Sequence, residues 1–266
     1  MGVTRELLAS NRIADICLET LPDGTKRIVK LSKDAFALET EAKMLELLAP
    51  HIRVPEVITL EPGKLVTEYI PDDGRCGRAC EEEVADALAA LHDVRAEYYG
   101  LGFDTTIGPY RQSNVPTEKW IDFYRERRVL DFAAKAFDEG RIGRSLLRRI
   151  ETLAASLESW LEEPDHPSLL HGDIWSGNVL AYRGHFTALI DPAAFYGHPE
   201  MELAFIGMFH TFGERFYRRY REHRPVADGF FDTRADLYRI FPYLVHVRAY
   251  GDSYLNGLES IVRRFV

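Results

Sequence analysis

Apolar residues recur at helical spacing over residues 35–48, where Leu38, Ala42, Leu45 and Leu48 share one face and Pro50 follows. This pattern predicts a helix. The flanking runs are strand-like: residues 12–21 and 26–31 around a Pro22-Asp23-Gly24-Thr25 turn, then 54–59 and 64–70 around Glu61-Pro62-Gly63. Pro71-Asp72-Asp73-Gly74 is the clearest linker in the chain. Beyond it the helical period returns, with Val84, Leu88 and Leu91 on one stripe and further helical segments at 120–132, 145–161, 200–212, 214–223 and 232–251. Residues 98–116 are rich in glycine and aromatics without a period and are expected to form an ordered loop. The pattern therefore divides the chain into a β-rich lobe (1–70), a linker (71–80) and a mostly helical lobe (81–266), with a cleft between the lobes.

Residues 169–197 break the helical pattern. Apolar runs at 178–182 and 185–190 flank Arg183-Gly184, so they read as a hairpin whose second strand delivers Asp191. The loop ahead of it carries His171, Asp173 and Asn178. Folding the hairpin back gathers Asp173, Asn178 and Asp191, and such a cluster repels itself unless cations occupy it. Mg²⁺ suits these oxygen ligands, since it commonly takes one or two carboxylates plus substrate phosphates. Asp173 and Asn178 stand five apart, as in the H-R-D-x-x-x-x-N catalytic loop of protein kinases, and Asp191 falls where the second metal-binding Asp belongs. For His-Gly-Asp alone, a polar turn before a capped strand is the commoner explanation. The Asn at the right offset, followed by the hairpin, favours the catalytic reading.

Other candidates depend on that reading. Lys30 ends the second strand, and Glu41 on the following helix can turn toward it, with Glu39 the competing partner. In the kinase plan such a pair holds the nucleotide phosphates; alone, each is an ordinary surface charge. The backbone of Glu68 to Ile70, entering the linker, is the candidate adenine contact, against a plain edge strand. His92 reads as a packed or capping histidine, and the arginine clusters 125–128 and 148–149 as solvated faces.

Composition narrows the partners. A formal charge of −9 argues against broad nucleic-acid binding, so phosphate must be met by local cations. Three cysteines are too few and too oddly numbered for a disulfide framework, which favours a reducing cytosol. Cys76 and Cys80 lack a second pair to complete a zinc site and read as structural or incidental. No signal-peptide apolar region or membrane-length run is present, so a cytoplasmic protein without membrane partners is expected.

The motif His171–Asn178, taken with Ile190-Asp191-Pro192-Ala193-Ala194-Phe195-Tyr196-Gly197-His198 and Glu202-Leu203-Ala204, closely resembles the fructosamine (ketosamine 3-) kinase family. Trp175 after His-Gly-Asp and Pro192 after Asp191 distinguish it from aminoglycoside phosphotransferase relatives and from the protein-kinase Asp-Phe-Gly. The likeness extends to Tyr99-Gly100-Leu101-Gly102-Phe103-Asp104, to residues 120–128 and to the run around Tyr243-Leu244, His246 and Gly251, and is strong over about residues 85–260.

The resemblance implies an α+β, protein-kinase-like bilobal fold and an ATP- and Mg²⁺-dependent phosphotransferase acting on a sugar hydroxyl, the 3-hydroxyl of a free or protein-bound ketosamine. Asp173 would orient or deprotonate that hydroxyl, Asn178 and Asp191 would hold Mg²⁺, and Lys30 with Glu41 the phosphates. Trp175 would wall the sugar or its amine-bearing arm, or else be core. Glu202 would brace the catalytic loop. The alternatives are an aminoglycoside or other amino-alcohol kinase and a non-catalytic nucleotide-binding scaffold. One departure stands out: relatives carry glycines between the first two strands, and residues 8–15 here have none. Either Ser10, Asn11 and Arg12 contribute side-chain contacts or nucleotide binding is weakened.

Overall fold

In the computed structural model, which describes residues 2–266, five antiparallel strands build the first lobe in the order β1-β2-β3-β5-β4. They are β1 (Thr4–Ser10), β2 (Asp15–Thr20), β3 (Lys26–Leu31), β4 (Val57–Glu61) and β5 (Lys64–Glu68), with α1 (Ala35–Leu48) inserted after β3. The expected helix is met residue for residue, its Asp34 cap accepting from the Ala37 N–H. The strand expected over 12–21 starts only at Asp15, and β1 adds an edge strand in front of it. Its seven residues are exposed on both faces, so it carries no alternation from which a strand could be read. Leu38, Ala42 and Leu65 pack α1 on the sheet.

The linker is tied down. Asp73 N–H donates to the Ala181 carbonyl (2.8 Å), and the Asp72 and Asp73 carboxylates accept from the Ala181 and Arg183 N–H groups (2.9 and 3.1 Å). Cys76 and Cys80, expected to be structural or incidental and outside any disulfide framework, form a disulfide at the start of α2 (Arg78–His92). The reason is local: their Cα atoms lie 5.1 Å apart, within bonding reach. The free thiol, Cys17 on β2, is buried against Val29 and Val66 of the same sheet.

Residues 98–116, expected as loop, contain a small hairpin of β6 (Thr105–Ile107) and β7 (Tyr110–Gln112). The helix expected at 120–132 is α3 (Trp120–Phe123), widening through a π-helical turn into α4 (Asp131–Asp138). It buries an arginine. Arg128, expected on a solvated face, is fully buried, donates to the Ser113 carbonyl (2.8 Å) and Asn114 Oδ1 (2.6 Å), and lies 4.1 Å from the Phe195 ring centre. Burial lowers its pKa to about 9, and these contacts replace the lost water.

After α5 (Arg144–Ala154), β8 (Ser168–Leu170) leads into the site; β9 (Val179–Tyr182) and β10 (His185–Leu189) form the expected hairpin, and β11 (Phe195–Gly197) returns to pair with β8. Arg183 and Gly184 both have positive φ (54° and 83°), as a two-residue hairpin turn requires. The chain ends with α6 (Pro199–Met208), α7 (Glu214–His223), α8 (Ala235–Tyr250) and α9 (Asp252–Phe265). Their core centres on Trp120, stacked on Phe123 and Tyr124 and donating to Tyr238 Oη (3.0 Å). No helix among the described residues is long and apolar enough to cross a membrane.

Candidate active site

The candidate catalytic loop is held from behind. Between β8 and the hairpin, the chain turns at Gly172 (φ 86°), where a Cβ would lie 2.3 Å from the Ala193 carbonyl oxygen. Only glycine fits so close an approach. The Glu202 carboxylate, 2% exposed as a residue, accepts from the Gly172 N–H (2.5 Å), the His171 N–H (3.2 Å) and His92 Nε2 (2.9 Å). Burial alone would raise its pKa, yet these donors hold it below the ordinary carboxylate value. The Tyr220 hydroxyl lies 2.7 Å from His92 Nδ1. His92 is thus packed, as expected, and links α2 and α7 to the catalytic loop.

At the front of the loop, Asn178 Nδ2 donates to the Asp173 carbonyl (2.9 Å) and to Asp173 Oδ2 (3.1 Å). Its Oδ1 is left for another partner, and so is Asp173 Oδ1. Burial, reinforced by the nearby Asp191 charge and opposed by the Asn178 amide, pushes the Asp173 carboxyl up to about 7. Asp191 follows β10 in a left-handed conformation (φ 52°), which Asp tolerates better than most residues. That turn aims its carboxylate back across the cleft.

Lys30 crosses from the other side. Its ammonium donates to Glu41 Oε1 (2.6 Å) and to Asp191 Oδ1, so the structure selects Glu41 over the exposed Glu39. Burial works against the lysine's charge, but the two carboxylates outweigh it and raise its pKa. Residues 161 positions apart thereby meet at one point.

These groups line one cavity of about 430 Å³, which contains Lys30, Glu41, Asp173, Trp175, Asn178 and Asp191. Glu68 and Ile70 do not line it. The Glu68 N–H is taken by the Glu56 carbonyl (2.9 Å), its carboxylate pairs with Arg53, and Ile70 is buried. Of the adenine contacts expected at 68–70, the Glu68 amide is therefore already engaged. Trp175 sits on the rim, 42% exposed, so it is not core.

The glycine-free loop has its own solution. Asn11 Oδ1 accepts from the Ile13 and Ala14 N–H groups (2.8 and 2.9 Å), and Ser10 Oγ donates to Asp15 Oδ1 (2.5 Å). The loop therefore closes on itself while Asn11, Ile13 and Ala14 still line the cavity. The far wall, from α6, α8, α9 and the β6–β7 turn, was missed by sequence reasoning. The four-residue spacing of His246, Tyr250 and Tyr254 was the available signal.

The model of the fructosamine kinase family matches residues 16–266. The chain belongs to the fructosamine kinase family. It is 34% identical over 221 residues to a chloroplastic protein-ribulosamine 3-kinase of Oryza sativa subsp. japonica, covering 79% of this chain and 63% of that protein. Against a ketosamine-3-kinase of Mus musculus it is 36% identical over 210 residues, covering 77% and 63%. This chain thus spans less than two thirds of the length of these relatives. The crystal structure of a Thermobifida fusca protein assigned as a fructosamine-3-kinase superposes with a TM-score of 0.87 at 32% identity, covering 99% of this chain and 92% of that one. An aminoglycoside phosphotransferase in ternary complex with AMP-PNP and hygromycin B shares the fold at 16% identity (TM-score 0.67; 98% and 91% covered). The α+β, protein-kinase-like bilobal architecture expected from the sequence is thereby shown.

Proposed function

We propose that this fructosamine kinase family member transfers the γ-phosphoryl group of ATP to the 3-hydroxyl of a ketosamine. The observation that carries the acceptor assignment is the distribution of charge in the cavity. Its carboxylates, Glu41, Asp173 and Asp191, all belong to the catalytic cluster, while the acceptor side presents aromatic and aliphatic groups. An aminoglycoside carries several ammonium groups and calls for a wall of carboxylates, whereas a ketosamine carries one amine. The ribulosamine and ketosamine kinases among the relatives support the same reading.

Asp173 would steer the acceptor hydroxyl. Its Oδ2 is fixed by Asn178, leaving Oδ1 to accept the hydroxyl hydrogen, and a carboxyl poised near neutral pH can take that proton as the bond to phosphorus forms. Lys30, fixed by Glu41, would contact the phosphates and draw the developing negative charge. The free Asn178 Oδ1 and the Asp191 oxygen that Lys30 leaves free would supply oxygen donors of the kind Mg²⁺ takes, since the ion needs few protein ligands when phosphates complete its shell. When bound, the ion would neutralise phosphate charge. The loop amides of Ile13 and Ala14 are occupied by Asn11, so Lys30 and the metal ligands carry the greater share of phosphate binding. Most of the rate would come from positioning and charge neutralisation.

The test is a product screen of the purified protein with Mg-ATP against fructosamine and ribulosamine compounds alongside aminoglycosides. Phosphorylated ketosamine is expected, and Asp173→Asn should abolish it while ATP still raises the melting temperature. Transfer to aminoglycosides alone would overturn the acceptor assignment. ATP stabilisation without any phosphorylated product would instead favour a nucleotide-binding scaffold, and absence of any stabilisation, with or without Mg²⁺, a scaffold that no longer binds nucleotide.

A further inference from the structure

Five rings form one continuous wall of the cavity. Phe205 and Phe209 lie 5.2 Å apart between centres, Phe209 and His246 5.0 Å, His246 and Tyr254 4.7 Å, and Tyr254 and Tyr250 5.9 Å. All five line the same space as Lys30 and Asp173. They come from three helices: Phe205 and Phe209 from α6 and its cap, His246 and Tyr250 one turn apart on α8, and Tyr254 on α9 beyond the Gly251 break. Tyr250 is 67% exposed, so packing alone does not account for a tyrosine there.

The wall is electron-rich without being charged. His246 Nδ1 donates to the Pro242 carbonyl (2.8 Å), which fixes its tautomer and leaves the Nε2 lone pair free, and burial lowers its pKa, keeping the ring neutral. Ring faces attract an ammonium through their quadrupole. A carboxylate at the same place would add to the charge of Asp173 and Asp191 and repel the arriving triphosphate. Uncharged rings beside the reacting phosphate avoid that conflict.

We propose that this wall is the subsite for the amine-bearing arm of the acceptor: the tilted rings receive the secondary ammonium that joins ketose to arm, and Tyr250 at the mouth receives the arm. The inference rests on the reading of the site as a ketosamine kinase. It also bears on substrate size, because a subsite ending on an exposed tyrosine lets a long arm, such as a lysine side chain still in a peptide, continue into solvent.

The experiment compares two acceptors with the same ketose and arm, one joined through a secondary amine and one through an ether oxygen. The ratio of their kcat/KM values reads the ammonium alone. In Tyr250→Ala and in Tyr254→Leu this ratio should fall about tenfold from the wild-type value, the scale of a lost ammonium–ring contact. Tyr250→Phe and Tyr254→Phe, which keep the rings, should retain it. An unchanged ratio in both truncated variants, with the wild type active on the amine, would overturn the proposal and leave the kinase reading intact. If the wild type phosphorylates neither acceptor, the kinase reading fails and the proposal falls with it.

Discussion

Replacing Glu202 by Gln should separate the support of the catalytic loop from its chemistry. The carboxylate satisfies three donors, two of them fully buried, with Oε1 on Gly172 and Oε2 on His171 and His92. A glutamine keeps one oxygen and turns an NH₂ toward at least one of them. Leaving one or two of these donors unpaired costs about 1–6 kcal/mol at roughly 1–3 kcal/mol each. For a chain of this size that lowers the melting temperature on the order of 10 °C, at about 2–4 °C per kcal/mol. The loop that loses its anchor carries Asp173, and a displacement of about 1 Å at a reacting group can cost on the order of 100-fold in rate. The assay pairs thermal unfolding with steady-state kinetics and with amide exchange of residues 169–173. The expected result is faster exchange, a kcat lowered by 10- to 100-fold and a nearly unchanged KM for ATP, because Lys30 and Glu41 do not touch Glu202. Melting within 1 °C of wild type together with kcat within about twofold would refute the anchoring role.

Three further outcomes are expected. Gly172→Ala places a methyl group against the Ala193 carbonyl in a left-handed backbone, so soluble yield or melting temperature should fall sharply; a variant melting like wild type would show that the turn is not needed. His198 caps α6 through Nδ1 (3.1 Å to the Glu200 N–H), and burial, aided by the charge of Arg234, lowers its pKa to about 3. Below about pH 6.5 the unfolded chain binds a proton that the folded chain refuses, so stability is lost as pH falls from 6.5 toward 3, by up to about 1.4 kcal/mol per pH unit. His198→Asn keeps a cap acceptor and should flatten that part of the stability curve; equal slopes in both proteins would exclude the histidine as the cause. Thiol titration in denaturant should find one free cysteine, Cys17, before reduction and three after; three without reductant would show that Cys76 and Cys80 are not bonded.

Much of this molecule was legible in its sequence because the signals were local. The 3.6-residue period fixed α1, the Arg183-Gly184 turn fixed the hairpin, and the Asp–Asn spacing with Asp191 after the second strand picked out the groups that meet in the cleft. Each of these depends on residues within one short stretch of chain. Long-range packing decided the rest. Arg128 has the look of a solvated arginine until Ser113, Asn114 and Phe195 enclose it, and His92 that of a minor core residue until Glu202, 110 positions away, takes its N–H. The exposed β1 had no pattern to read, and the Glu68 amide proved to be spent on Glu56. The aromatic wall exists only because α6, α8 and α9 converge on one cavity. Sequence spacing specifies which groups a short segment can present; only the folded chain decides which distant groups they meet.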